Sequence, residues 1–224
     1  MNSLGTNLKT AVSVLPDGAT IHLPLVTWDT YRQILADLEG DERSRLLYDH
    51  GNLYIMTKSR KHDTVSRLFI ALVEQLVELR GGDFMPVGSA TLNSRVAASG
   101  LEADECFYFS HFDLLQDDRE LDLAIDPPPD LAIEVDYTSS SVSKEKIYAA
   151  LRIPELWRWD NGQVTFWQLR DGAYHEITHS QQFPALAADM VPALIQLGRQ
   201  QGFQALKRAV REQLKQDGSC GSAR

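Results

Sequence analysis

PDLAIEVDYTSSSVSKEKIYAALRIPELWRWD, residues 129–160, decides the fold. Polar and apolar side chains alternate through its first part, the period of a strand. Leu131, Ile133, Val135 and Tyr137 point one way, and Asp130, Ala132, Glu134, Asp136 and Thr138 the other. The first set can pack against a helix. The second gathers three acids with no lysine or arginine between them. Like charges at this spacing repel, so that face must be solvated, paired across strands or neutralised by a cation. Two lysines, Lys144 and Lys146, then open a predicted helix. Carboxylates and a lysine at a strand–helix junction suit a divalent metal and a phosphodiester better than a packed core. From these residues alone, an ordinary half-exposed strand explains the pattern equally well.

A second acidic strand is predicted over LEADECFYF, residues 101–109. Glu102, Asp104 and Cys106 share one side, with Leu101, Ala103, Glu105 and Phe107 opposite. Glu105 breaks the alternation. If this strand pairs with 130–137, Asp104 and Glu134 meet at one end of the sheet. Two such carboxylates suit Mg²⁺ (or Mn²⁺), since Mg²⁺ commonly takes one or two and keeps waters and substrate oxygens for the rest of its shell. A nearby lysine can orient water or stabilise a pentavalent phosphate.

Outward from these strands, the pattern alternates helices and strands. Thr27 or Asp29 can cap a helix to about Leu38. Leu46–Tyr48 and Leu53–Met56 flank a hairpin turn at Gly51. Val65, Leu68, Phe69, Leu72, Leu76 and Leu79 recur at helical spacing, and Gly81-Gly82 ends that run. Phe84–Val87 reads as a strand and GSATLNSRVAASG as a loop. Residues 111–129 read as an acidic, proline-rich surface excursion. Asn161-Gly162 and Asp171-Gly172 are turns of a β-meander, followed by C-terminal helices from Phe183-Pro184 onward. Residues 1–18 are expected to be a loose arm, 19–216 a single domain and 217–224 a disordered tail. The fold class is therefore α/β, with a mixed central sheet flanked by helices.

The 224 residues suffice for one domain with a substantial core. No apolar run approaches the ~20 residues that cross a bilayer, and no secretory signal stands at the N-terminus. Cys106 and Cys220 form no CxxC pattern, so neither a disulfide framework nor a zinc site is implied. The expectation is a cytoplasmic protein with no membrane partner. The net charge of −9 argues against broad coating of nucleic acid, which needs a basic face. It leaves a nuclease open, because site acids add to the negative total and a local patch can steer a substrate. Lys58, Arg60, Lys61 and His62 form one basic patch, which on its own reads more simply as a solvated loop before a helix.

Together these stretches resemble the PD-(D/E)xK nuclease superfamily, and more closely its Uma-type branch of candidate restriction endonucleases. RLLYDHGNLYIM (45–56) is similar to the family's early hairpin, and His62 follows where the family places a histidine at the main helix. GLEADECFYF (100–109) resembles its "GxEPDxxF" strand, and PPPDLAIEVDYTSSS (127–141) its "PDLxxEV" strand. KEKIYAALRIPELWRWD (144–160) resembles the lysine-bearing helix, the following turn and the next strand. The resemblance spans roughly 20–185. It implies a restriction-endonuclease-like core, Mg²⁺-dependent cleavage of DNA, and Asp104 and Glu134 as metal ligands.

The same resemblance implies Lys144, four residues before Tyr148, as the catalytic lysine, with Lys146 as fallback. Asp136 stands where the superfamily usually carries that lysine. Asp130, Asp136 and Glu102 become acids around the site, and Lys58, Arg60 and Lys61 candidate DNA contacts. His62 is equally well a site residue or an ordinary helix-start histidine. A lysine in the first turn of a helix is unfavourable by about 0.3–1 kcal/mol, which mildly favours a purpose for Lys144 and Lys146.

Three departures from the family pattern stand out: Ala103 for its proline, Arg152 for the turn glycine, and Leu46 or Leu47 where much of the branch carries a glutamate. The missing glutamate and the net charge favour the competing expectation, a nuclease fold kept as a binding module for nucleic acid or a protein. Paired-carboxylate glycoside hydrolysis leaves the lysine without a task. By analogy with enzymes that cut both strands, a homodimer is expected.

Overall fold

The structure, a computed structural model, describes residues 3–41, 43–57, 60–88, 90–111, 121–136 and 144–218. Among the strands, β1 is Thr20–Leu23, β2 Ser44–Asp49, β3 Asn52–Thr57, β4 Met85–Pro86, β5 Thr91–Ser94, β6 Ser99–Glu102, β7 Glu105–Tyr108, β8 Leu131–Asp136, β9 Glu155–Asp160, β10 Gln163–Arg170 and β11 Ala173–Ile177. The helices are α1 Ser3–Ser13, α2 Trp28–Asp37, α3 Arg60–Arg80, α4 Lys144–Ala150, α5 Val191–Gln201 and α6 Phe203–Gly218.

Two sheets form. One runs β11-β10-β9-β8-β7-β4 and the other β1-β3-β2-β6-β5. The six-stranded sheet is mixed: β8 and β9 are parallel, while its other pairs are antiparallel. A parallel neighbour requires a crossover, and α4 lies in the connection from β8 to β9.

Alternation along β8 sorts its side chains into two cores. Leu131, Ile133 and Val135 pack with Phe69 and Leu72 of α3 and with Leu194 and Leu206 of α5 and α6. Ala132 packs on the opposite face with Ile147 and Tyr148 of α4 and Leu47 of β2. A third cluster, including Val12, Tyr31, Leu46 and Ile55, joins α1 and α2 to the outer face of the five-stranded sheet. The layers therefore run α3/α5/α6, six-stranded sheet, α4 with the five-stranded sheet, then α1/α2.

Several boundaries differ from expectation. The stretch 101–109 is not one strand: its first residues belong to β6 in one sheet and its last to β7 in the other. The expected loop over 88–100 contains the β5–β6 hairpin. Within 1–18, Ser3–Ser13 is helical, Val12 is fully buried, and the Arg43 guanidinium donates to Ser13 O at 2.7 Å and Leu15 O at 3.1 Å. Phe183 is buried in a bend, and the helical tail begins only with a 3-10 turn over Ala188–Met190 that leads into α5 at Val191.

Thr27 caps α2 as expected, accepting from Thr30 N at 3.2 Å. Asn161 and Gly162 both have positive φ, 47° and 91°, which is why this dipeptide can close the β9–β10 turn. No helix among the described residues is long and apolar enough to cross a membrane.

Candidate active site

β7 and β8 pair through Glu105 with Ile133, so one further step sets Asp104 opposite Glu134. Asp104 stands at the seam where the chain passes from one sheet to the other. Its Oδ2 accepts from Val135 N at 2.9 Å, so the side chain takes up a backbone donor just beyond the last β7–β8 pair. Asp104 is 6% exposed and Glu134 2%. The acid face of β8 is therefore not solvated. It is covered by α4 and neutralised from there.

Lys144, in the first turn of α4, supplies that neutralisation. Its Nζ donates to Glu134 Oε2 at 2.6 Å and Asp136 Oδ1 at 3.0 Å. One turn on, the buried Tyr148 hydroxyl donates to Glu134 Oε1. Arg158, the Cα partner of Glu134 on β9, holds Asp136 Oδ2 at 3.0 Å through Nε and also pairs with Glu145. His62, in the first turn of α3, places Nε2 2.8 Å from Asp104 Oδ2.

This crowding moves the titrations. Burial, then the charge of Asp104, pushes Glu134 up to about 8, against the pull of Lys144. Burial works against ionised Asp104, but the hydrogen bond and charge of His62, followed by the charge of Lys144 and the Val135 N–H, together hold that carboxyl below its usual range. Burial also works against His62 and Lys144 as cations, yet carboxylates raise both: Asp104 chiefly for His62, and Glu134 followed by Asp136 for Lys144. The cluster is rich in buried negative charge.

A cavity of about 140 Å³ opens on it, lined among others by Arg45, Met56, His62, Asp104, Glu134 and Lys144. Among the described residues, no group of three or more His, Cys, Asp and Glu side chains is arranged to hold a metal ion. The pair Asp104 and Glu134 offers oxygen donors from adjacent strands, and Mg²⁺ commonly takes only one or two carboxylates. The donor chemistry fits that ion.

The sequence-derived candidates divide. Asp104, Glu134, Lys144, Asp136 and His62 come together. Glu102 lines the cavity, but its Oε2 accepts from Leu46 N at 2.6 Å and burial raises its pKa. Asp130 lies at the far end of β8, accepting from Phe109 N at 2.7 Å and Ser110 N at 3.2 Å. Lys146 is exposed and lines a separate groove beside Trp167. Arg60 and Lys61 fall in the first turn of α3, and Lys58 lies outside the described residues.

Sequence reasoning missed four neighbours: Tyr148, Arg158, Arg45 and Glu105. Tyr148 served only as a landmark for counting back to Lys144. Arg158 sits between two tryptophans in WRWD, and only the parallel register with β8 reveals its partner.

The family model Uma2, described as "Putative restriction endonuclease", matches residues 28–199. A solved structure, a "putative nuclease belonging to DUF820" from Anabaena variabilis, is similar at TM-score 0.53 and 13% identity. The alignment covers 76% of this chain and 99% of that one, and it shows a shared fold. No curated protein matches the chain.

Proposed function

The chain belongs to the Uma2 family of restriction-endonuclease-like proteins, and on that premise we propose that it is a Mg²⁺- or Mn²⁺-dependent endonuclease that hydrolyses DNA phosphodiester bonds. The observation that carries this reading is the lysine of α4 seated on Glu134, with Asp104 beside them on the neighbouring strand.

Asp104 and Glu134 would hold the divalent ion. When bound, that ion supplies Lewis-acid stabilisation of the charge that builds on the phosphodiester oxygens. In this reading Lys144 is the charge donor of the group. Its ammonium can turn from Glu134 toward a phosphate oxygen or an attacking water, both of which need a positioned positive charge. Tyr148 holds Glu134 in one orientation by occupying its other oxygen. His62 keeps Asp104 ionised and aligned. Arg158 takes a share of Asp136 and ties Glu145, and with it the first turn of α4, to β9. In hydrolysis the water oxygen forms the new bond to phosphorus and gives its proton to solvent or a site base, while the scissile P–O bond breaks with its electron pair on the departing oxygen, which takes a proton from solvent. Two copies of the chain would be needed for one site to address each strand of a duplex.

The test is nicking of supercoiled plasmid in Mg²⁺ or Mn²⁺. Activity that depends on the ion and disappears in Lys144→Ala supports the proposal. Equal activity in both proteins rejects it.

A second reading keeps the fold as a module that binds nucleic acid or a protein without turnover. It is favoured by the internal saturation of the site, since Asp104 is already engaged by Val135 N and His62. Calorimetric titration separates the two readings. Absence of Mg²⁺ and Mn²⁺ binding leaves only the module.

A further inference from the structure

Arg45 lies on β2, directly opposite Met56 of β3. Continuing the β2–β6 register from Leu47 and Leu101 by two residues sets Arg45 opposite Ala103, one residue from Asp104. It shares the strand face of Leu47, which packs toward α4 and the six-stranded sheet. The residue is only 9% exposed. One guanidinium nitrogen donates to Ser44 O at 2.8 Å, while Nε is buried with no partner among the described residues. Arg45 makes no ion pair among the described residues, although Glu102 and Glu105 are near enough to feel its charge.

A buried guanidinium with an unused donor is costly unless something occupies it. Arg45 lines both the cavity holding Asp104, Glu134 and Lys144 and a neighbouring one of about 510 Å³. Of the three cationic side chains lining the first cavity, Lys144 and His62 are engaged by carboxylates. Arg45 is the one left for an incoming anion. A planar fork of N–H donors matches a phosphate better than a point charge does.

We propose that Arg45 is the phosphate-binding residue of this site, receiving a non-bridging oxygen of a bound nucleic-acid strand beside the Asp104–Glu134 pair. This inference rests on the phosphodiester reading above.

The experiment is fluorescence anisotropy of the full chain with a labelled duplex across a NaCl series, in EDTA and again with Ca²⁺. Loss of one phosphate contact makes the slope of log K against log[salt] shallower by about 0.9. Arg45→Met should show that change together with weaker binding. Arg45→Lys should keep the slope while binding less tightly than wild type, because the charge stays and the fork is lost. Thermal melts run alongside. If Arg45→Met does not fold, Arg45→Gln must show the same loss of slope. Wild-type slope and affinity in whichever neutral variant folds would overturn the assignment, since a packing role alone does not move a salt slope. A changed slope in a protein that never nicks plasmid keeps Arg45 as a phosphate contact and removes the nuclease reading. Wild-type protein that binds no duplex in either buffer overturns both.

Discussion

Lys144 Nζ lies 2.6 Å from Glu134 Oε2, a contact between the first turn of α4 and the acid face of β8. The same ammonium reaches Asp136 at 3.0 Å. One cation thus bridges two carboxylates buried on one face of β8, with Arg158 sharing Asp136 and Tyr148 sharing Glu134. Its structural and chemical tasks are separable.

Lys144→Ala should reduce plasmid nicking by about 10²–10³-fold, the usual loss when a positioned charge donor leaves a site. It should also destabilise the protein, because breaking a buried pair strands a charge at roughly 3–5 kcal/mol. Adding Glu134→Gln removes the stranded charge. The double variant should recover much of the melting temperature and none of the activity, a coupling that a double-mutant cycle reads directly.

Tyr148→Phe deletes the hydroxyl that occupies Glu134 Oε1. A buried acceptor without its donor costs roughly 1–3 kcal/mol, readable as a lower urea midpoint at unchanged m-value. Glu134 also loses its fixed orientation. Calorimetry should therefore give weaker Mg²⁺ binding, and nicking should fall without being abolished. Wild-type stability and wild-type metal affinity together would remove Tyr148 from the support of the site.

Much of this site was legible in the sequence because strand periodicity is a local property. Alternation put Glu134 and Asp136 on one face, and the acids of 101–109 supplied Asp104. The rest depended on contacts that spacing does not encode. Asp130 obeys the same alternation yet sits at the opposite end of β8, where it bonds Phe109 N and Ser110. Periodicity selects a face, not a position along it. The split of 101–109 between two sheets is likewise invisible in a run of strand-forming residues, although Glu105, which breaks the alternation, marks the place. The Ser3–Ser13 helix carries only Leu4, Leu8 and Val12 at four-residue spacing, too short a stripe to distinguish from an arm.

On the face of the six-stranded sheet away from the site, α5 crosses α3 and α6 at Gly198. A Cβ there would fall 2.6 Å from Leu68 Cδ2 and 3.0 Å from Leu206 Cδ1. Gly198→Ala should lower stability by about 1–3 kcal/mol through overpacking, in spite of the better helix propensity of alanine. Activity per folded molecule should stay at the wild-type level. A raised melting temperature would show that the leucines give way.

Glu105 is 7% exposed and its Oε2 has no partner among the described residues. Burial first, then the charge of Asp104, pushes its pKa from 4.5 up to about 7, against the pull of His62, Arg67 and Arg45. The folded chain therefore binds this proton more tightly than the unfolded chain. The stability tied to the neutral acid is fully present below the unfolded value and is lost as pH rises toward and through about 7. Glu105→Gln keeps the shape and removes the titration. In EDTA, where no added cation offsets Asp104, it should leave the melting temperature nearly unchanged at acidic pH. At mildly alkaline pH it should stabilise by about 1–2 kcal/mol, a figure reduced for partial hydration of the carboxyl. The same shift at both pH values would mean that the carboxyl finds a partner in solution and that its burial carries no penalty.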